Sequence, residues 1–163
     1  MDGLRFLGIG GISFLGQIIL CVTAFNFSGL NRLLYLGWTL LAVALLIGMS
    51  ARRTFQKVGS ESEEDTRFES GVIVDSGRYG IVRHPIYLSF TGVIVALMLI
   101  SQHWLSIIPG LPWIIYLYLS MISVECLQLD QFREAYQDYI AREPRVNLVL
   151  GGIRYWQRRR ARK

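Results

Sequence analysis

Hydrophobic residues in this chain form long uncharged runs instead of alternating with polar residues at short intervals. The runs cover residues 6–25, 33–49, 86–101 and 104–124. A helix needs roughly 20 apolar residues to cross about 30 Å of hydrocarbon, so we expect four transmembrane spans. Only Gln102 and His103 separate the last two runs, which predicts an antiparallel hairpin that turns at those residues.

Two other patterns complete the predicted architecture. Residues 59–70 are polar and rich in acids, which is typical of a loop. After the fourth run, apolar residues return at steps of three and four, at Leu129, Phe132, Tyr136, Tyr139 and Ile140. This spacing predicts an amphipathic helix that Pro144 ends. We therefore expect an all-α, polytopic helix bundle in a single membrane domain, residues 1–163, with the first two spans in residues 1–50.

Composition supports a membrane protein. Hydrophobic residues make up 52% of the chain and charged residues 18%, whereas an ordinary soluble domain carries about 25% charged residues. This argues against a cytosolic globule, a disordered tail and a secreted disulfide scaffold. Cys21 and Cys126 lie in or beside apolar runs, which predicts buried free thiols.

Basic residues indicate the orientation in the membrane. If both termini are cytoplasmic, 16 of the 17 Lys and Arg residues lie inside and only Arg32 lies outside, as the positive-inside rule requires. The tail, residues 148–163, places Tyr155 and Trp156 beside a basic cluster. We expect this tail to lie at the interface on anionic lipid head groups, each basic residue contributing about 1 kcal/mol, and we expect no nucleic-acid partner.

The stretch that carries chemistry joins the acidic loop to the third run. A β-branched run, Val72–Val74, leads into a turn, and Arg83, His84 and Pro85 stand where the third span begins. Proline fits the first turn of a helix, and the positive end of the helix dipole together with the Arg83 and His84 donors suits an anion. The plainer interpretation makes Arg83 a positive flank, His84 an interfacial side chain and Tyr87 an aromatic-belt residue.

Glu125 ends the fourth run at a depth where a carboxylate is costly unless it is paired or functional. The predicted hairpin brings Glu125 beside Arg83 and His84. An acid next to an anion-binding helix start would form a receptor for a zwitterion. The alternative is an interfacial salt bridge between Glu125 and an arginine.

A combined motif covers most of residues 71–147. It consists of Val74, Gly77, Tyr79, Arg83-His84-Pro85 and Tyr87, then, after one helical hairpin, Glu125, Phe132, Tyr136 and Tyr139. This pattern resembles the isoprenylcysteine carboxyl methyltransferase and phospholipid methyltransferase family, which are integral membrane enzymes that use S-adenosylmethionine (SAM). The first two spans match that family only in being hydrophobic.

The resemblance implies that residues 71–147 are the cofactor-binding half and contain a cytoplasmic cofactor-binding loop. The zwitterion would then be the methionine end of SAM. The residues implied to contact SAM are Val72, Ile73, Val74, Tyr79, Arg83, His84, Pro85, Ile86, Tyr87 and Glu125.

The chain departs from the family pattern at two positions. The usual pair of glutamates falls on Val124 and Glu125, so Glu125 either substitutes for the missing first glutamate or only stabilises the helix end. The arginine that prenylcysteine enzymes carry one helical turn earlier is Ser120 here. We expect Arg142 or Arg145 to supply a cation for the substrate instead.

The resemblance implies transfer of a methyl group from SAM to a lipid-like or isoprenoid acceptor, either a prenylcysteine carboxylate or an amphiphilic amine or thiol. This transfer requires no metal ion. One alternative is an NADPH-dependent membrane reductase of the sterol-reductase type, although Gly8-Ile9-Gly10 lies in an apolar run without a preceding strand and is no dinucleotide fingerprint. A non-catalytic membrane scaffold is a second alternative, with Val124 and Ser120 as signs of lost function.

Overall fold

The computed structural model describes residues 2–61 and 77–161. It contains helices α1 (Asp2–Thr23), α2 (Asn31–Glu61), α3 (Pro85–Ser101), α4 (Ile107–Arg142) and α5 (Leu148–Ala161). Short 3-10 helices, Gly77–Gly80 and Trp104–Ser106, precede α3 and α4. The described residues contain no strand, which confirms the all-helical class for them. The run Val72–Val74 and most of the acid-rich loop lie outside the described residues.

Two segments are long and apolar enough to cross a membrane, Asn31–Thr54 in α2 and Trp104–Arg142, which includes α4. Two other apolar helices, Gly11–Thr23 and Pro85–Ser101, are shorter. Length and composition therefore support two of the four expected spans. The remaining two spans and the cytoplasmic position of both termini stay predictions.

The chain divides into two compact units, of which the first comprises residues 1–46 and 89–120. In this unit α2 and α3 approach closely at Gly37, where an added Cβ would lie 2.8 Å from Cγ1 of Ile100. The hydroxyl of Ser89 also donates to the carbonyl of Ala44 at 2.7 Å. Small residues allow such close contact between apolar helices.

The turn between α3 and α4 lies at Gln102 and His103, as the two uncharged runs predict. Gln102 has a φ of 53°. Its side-chain amide both accepts from the N–H of Leu30 at 2.9 Å and donates to the carbonyl of Leu30 at 3.0 Å. The turn is therefore fixed to the segment between α1 and α2.

The second unit comprises residues 47–88 and 121–163. Within it, α4 changes direction at Arg133, whose φ of 43° and ψ of −114° are not helical. The expected amphipathic helix, which the sequence pattern begins at Leu129, forms the last part of α4, and the kink falls inside it. Tyr136 and Tyr139, which follow the kink, are buried. The helix ends at Arg142, two residues before Pro144.

The two cysteines are free thiols. Cys21 is half-buried, but Cys126 is exposed, so the predicted burial is wrong for Cys126. The reason is helical geometry: Glu125 faces inward, and the next residue is rotated by about 100° on a helix of 3.6 residues per turn.

Candidate functional site

The beginning of α3 is held against the segment that follows α4. Pro85 is the first residue of α3, and the carbonyl of His84 accepts from the N–H of Leu88 at 3.0 Å. The N–H groups of Arg83 and His84 donate to the carbonyls of Pro144 and Arg145 at 3.1 and 3.2 Å. These two N–H groups are therefore used within the fold and are not available to an anion.

Glu125 is the centre of a buried ion cluster. The residue is 5% exposed. Arg145 donates to both carboxylate oxygens, from Nε to Oε1 at 3.2 Å and from Nη2 to Oε2 at 2.6 Å. Nη1 of Arg83 lies 3.3 Å from Oε1, and Nε2 of His84 lies 2.9 Å from the same oxygen. A single carboxylate thus joins α4, the start of α3 and the segment after α4.

Burial lowers the pKa of His84 below its usual value, an effect that Glu125 opposes and that Arg83 and Arg145 reinforce. The imidazole is therefore neutral at pH 7, and its contact with a carboxylate requires that Nε2 carries the proton. Two guanidinium groups against one carboxylate leave the cluster with one net positive charge. Such a cluster favours an anion as a further partner.

Tyr79 lies in the 3-10 helix that precedes α3. Its carbonyl accepts a hydrogen bond from the hydroxyl of Tyr139 at 2.8 Å. Burial, with a smaller effect of Tyr87, raises the pKa of Tyr79 to about 12. The phenol is therefore protonated at neutral pH. The His84 ring meets that of Tyr87 edge to face, with centroids 5.6 Å apart, so one face or edge of the imidazole is covered by an aromatic ring.

Helix α5 packs on the same segments through Arg158. Its Nη2 lies 2.6 Å from Oε1 of Glu143 and donates to the carbonyl of Gly80 at 3.0 Å. Gly151 of α5 lies so close to Ile81 that a Cβ would overlap the Ile81 carbonyl oxygen. Glycine at this position is what allows α5 to reach the turn before α3.

Three polar groups of this unit are buried without a hydrogen-bond partner among the described residues. They are the guanidinium of Arg83 at Nε and Nη1, the hydroxyl of Tyr136 and Oε2 of Glu143. Buried polar groups are satisfied in most folded proteins, and each exception requires an explanation. The guanidinium can only donate, the carboxylate oxygen accepts, and the tyrosine hydroxyl can do either. Together they suit a small polar ligand with both functions.

A family model described as phospholipid methyltransferase matches residues 32–138, more than half of the chain. The chain belongs to the phospholipid methyltransferase family. No curated protein and no solved structure matches it. The family agrees with the one that the sequence motif indicates, and it implies a membrane methyltransferase. The match begins in α2, earlier than the motif suggested, and ends before Glu143, Arg145 and α5.

Most residues that the sequence analysis assigned to the site of this methyltransferase lie in the second unit. They are Tyr79, Arg83, His84, Pro85, Ile86, Tyr87, Glu125, Arg142 and Arg145. Glu125 directly contacts His84, Arg83 and Arg145. The predicted proximity of Glu125 to the start of α3 is therefore present. Val72, Ile73 and Val74 lie outside the described residues. The roles of all these residues in binding stay predictions.

The two arginines expected to contact the substrate differ in their surroundings. Arg145 binds both oxygens of Glu125. Arg142 is exposed at the end of α4, and its carbonyl lies 3.4 Å from Nη1 of both Arg154 and Arg158. In this arrangement Arg145 is engaged in the ion cluster.

Sequence reasoning missed Glu143 and Arg158. A signal for Glu143 was present, because it extends the apolar stripe of Phe132, Tyr136 and Tyr139 by one further step of four residues. An acid on the apolar face of an amphipathic helix is expected to be buried with a partner. No comparable signal marked Arg158, which is one of several arginines in the tail.

Substitution of Glu125 by Gln is expected to destabilise the methyltransferase by about 3–5 kcal/mol, because Arg83 and Arg145 would lose their buried counter-charge. Denaturation of the purified protein in detergent measures this change. The matched control is Glu134→Gln at an exposed position of the same helix, for which we expect a change within about 0.5 kcal/mol. Equal stability of the two variants would contradict the central role of Glu125.

Proposed function

We propose that the protein transfers a methyl group from SAM to a lipid-like or isoprenoid acceptor in the membrane. The acceptor is a prenylcysteine carboxylate or an amphiphilic amine or thiol. The family match supports methyl transfer. The observation that carries the SAM assignment is the pair of buried, unpartnered donors on Arg83 and Tyr136 beside a cluster of net positive charge.

These donors fit the carboxylate at the methionine end of SAM. Arg83 is held by its ion pair with Glu125, which leaves Nε without a partner among the described residues. Tyr136 is 1% exposed, and its hydroxyl is likewise unpartnered in the described part of the chain. A carboxylate that bound both would satisfy two groups whose burial is otherwise unfavourable.

When bound, SAM would supply an electrophilic methyl group, to which the acceptor would form a bond while the carbon–sulfur bond breaks in line and S-adenosylhomocysteine leaves. The contribution of the protein is to fix both partners and exclude water, and such positioning can lower a barrier by about 7–11 kcal/mol. The Glu125 cluster holds Arg83 and His84 in place. The contact between Nε2 of His84 and Glu125 orients the imidazole and leaves the lone pair on Nδ1. A carboxylate acceptor needs no base, whereas an amine must arrive deprotonated.

Tyr136→Phe provides a sharp test of SAM binding because it removes only the unpartnered hydroxyl. We expect the variant to retain its stability and to bind S-adenosylhomocysteine about tenfold more weakly or worse, the loss of one hydrogen bond to a charged group. Isothermal titration calorimetry in detergent measures the affinity. We also expect His84→Ala and Tyr79→Ala to weaken binding, while exposed Tyr118→Phe serves as the control.

Two results would overturn this assignment. The first is a folded wild-type protein that binds neither SAM nor S-adenosylhomocysteine. The second is a fluorescence titration that shows tight binding of NADPH instead, which would favour the reductase alternative.

Methyl transfer itself is tested with methyl-labelled SAM and host membrane lipids. We expect label in the lipid extract with the wild-type protein and at least tenfold less with Tyr136→Phe when SAM is well below its dissociation constant. Mass spectrometry of the labelled species identifies the acceptor. SAM binding without any transfer would favour the scaffold alternative.

We also propose that α5 lies on anionic lipid head groups. Val149, Ile153 and Trp156 are spaced by four and three residues on one face, and each is at least half exposed. The guanidinium of Arg160 stacks on the ring of Trp156 at 3.5 Å. An apolar stripe flanked by arginines fits the interface of a negatively charged leaflet.

A dye at position 153 tests this contact in the full-length protein. Ile153→Cys is labelled with an environment-sensitive fluorophore after Cys21 and Cys126 are replaced by Ser. In nanodiscs with anionic lipid we expect a blue shift that high salt reduces, because screening weakens attraction to the surface. Zwitterionic nanodiscs are the control, and identical spectra in both lipids would contradict the proposal.

A further inference from the structure

Glu143 is a buried acid that the Glu125 cluster does not include. It follows the last residue of α4 and is 4% exposed. Oε1 pairs with Nη2 of Arg158 at 2.6 Å. Oε2 is buried and has no hydrogen-bond partner in residues 2–61 and 77–161.

A role limited to helix packing does not account for this arrangement. The pair with Arg158 uses one oxygen, while the other oxygen is withdrawn from water without a donor, which is unfavourable for a carboxylate. Arg158 also donates to the carbonyls of Gly80 and Arg142. Arg158 therefore connects these segments but leaves Oε2 of Glu143 without a hydrogen-bond donor.

The position of Glu143 in the fold links it to the proposed cofactor contacts. The next two residues, Pro144 and Arg145, accept hydrogen bonds from the N–H groups of Arg83 and His84. Through Arg158, Glu143 is also joined to Gly80, which directly follows Tyr79. Oε2 of Glu143 therefore lies on a segment that is hydrogen-bonded to the one that carries the unpartnered donors of Arg83.

Glu125 is poorly suited to bind an ammonium group. Arg145 occupies both of its oxygens, and His84 and Arg83 lie at Oε1. An ammonium group would have to displace one of these cations from a buried site. Oε2 of Glu143 requires no such displacement.

We propose that Oε2 of Glu143 binds the ammonium group of SAM and that Arg83 and Tyr136 bind its carboxylate. The three unpartnered groups then match an α-amino acid: Arg83 and Tyr136 donate to its carboxylate, and Glu143 accepts from its ammonium group. This inference rests on the proposed function. It makes Glu143 a specificity-determining residue that distinguishes the amino form of the ligand from a deaminated one.

The experiment compares S-adenosylhomocysteine with its analogue in which hydrogen replaces the α-amino group. Calorimetry on the wild-type protein is expected to show about tenfold or greater preference for the amino form, as for one charge-assisted hydrogen bond. Glu143→Gln is expected to lose that preference and to bind both ligands with similar affinity. Glu134→Gln, at an exposed position of α4, is expected to retain it.

Each outcome separates this inference from the proposed function. If the wild-type protein binds neither ligand, the proposed function fails. If it binds both equally, or if Glu143→Gln weakens both by the same factor, Glu143 is only structural and the inference is overturned. Should Glu143→Gln not fold, Glu143→Asp is the second variant, because it keeps the charge but withdraws the carboxylate by one methylene. An unchanged preference of Glu143→Asp for the amino form would also overturn the inference.

Discussion

The structure around the candidate site depends on the burial of one carboxylate. A charge as buried as that of Glu125 requires partners, and the fold supplies a guanidinium and an imidazole from the start of α3 and a second guanidinium from the segment after α4. These contacts determine where α3 begins and where the chain passes after α4. Apolar packing alone would permit sliding between helices, whereas ion pairs at 2.6–3.3 Å fix the register.

In the ion cluster, the carboxylate of Glu125 has a more complete set of hydrogen-bond partners than the guanidinium of Arg83. Glu125 has donors at both oxygens, whereas Arg83 keeps two nitrogens without hydrogen-bond partners in the described part of the chain. This asymmetry leaves positive charge at the candidate site of a chain that belongs to a methyltransferase family. Under the proposed SAM contacts, Glu125 organises the cations and Glu143 is the acid that binds the ammonium group.

The sequence predicted those features that depend on local spacing. Long apolar runs gave the helices, the two polar residues Gln102 and His103 gave the hairpin turn, and that hairpin placed Glu125 beside His84. The partner of each charge was harder to predict. Arg145 and Arg158 are two of many basic residues near the C-terminus, and a single sequence does not distinguish which of them reaches a given acid. Both arginines also lie beyond the kink at Arg133, which no proline or glycine marks.

Helix α5 has a packed face and an exposed apolar face on opposite sides. Gly151 and Arg158 hold it against the turn before α3 and the end of α4, while Val149, Ile153 and Trp156 face outward. Under the proposed lipid contact, the helix that is attached to the membrane is also the one that orients Glu143. Attachment would then reduce the motion of Arg158 and of the carboxylate paired with it. Since a preorganised site loses less entropy when it binds a ligand, membrane association and SAM affinity would be coupled through this one helix.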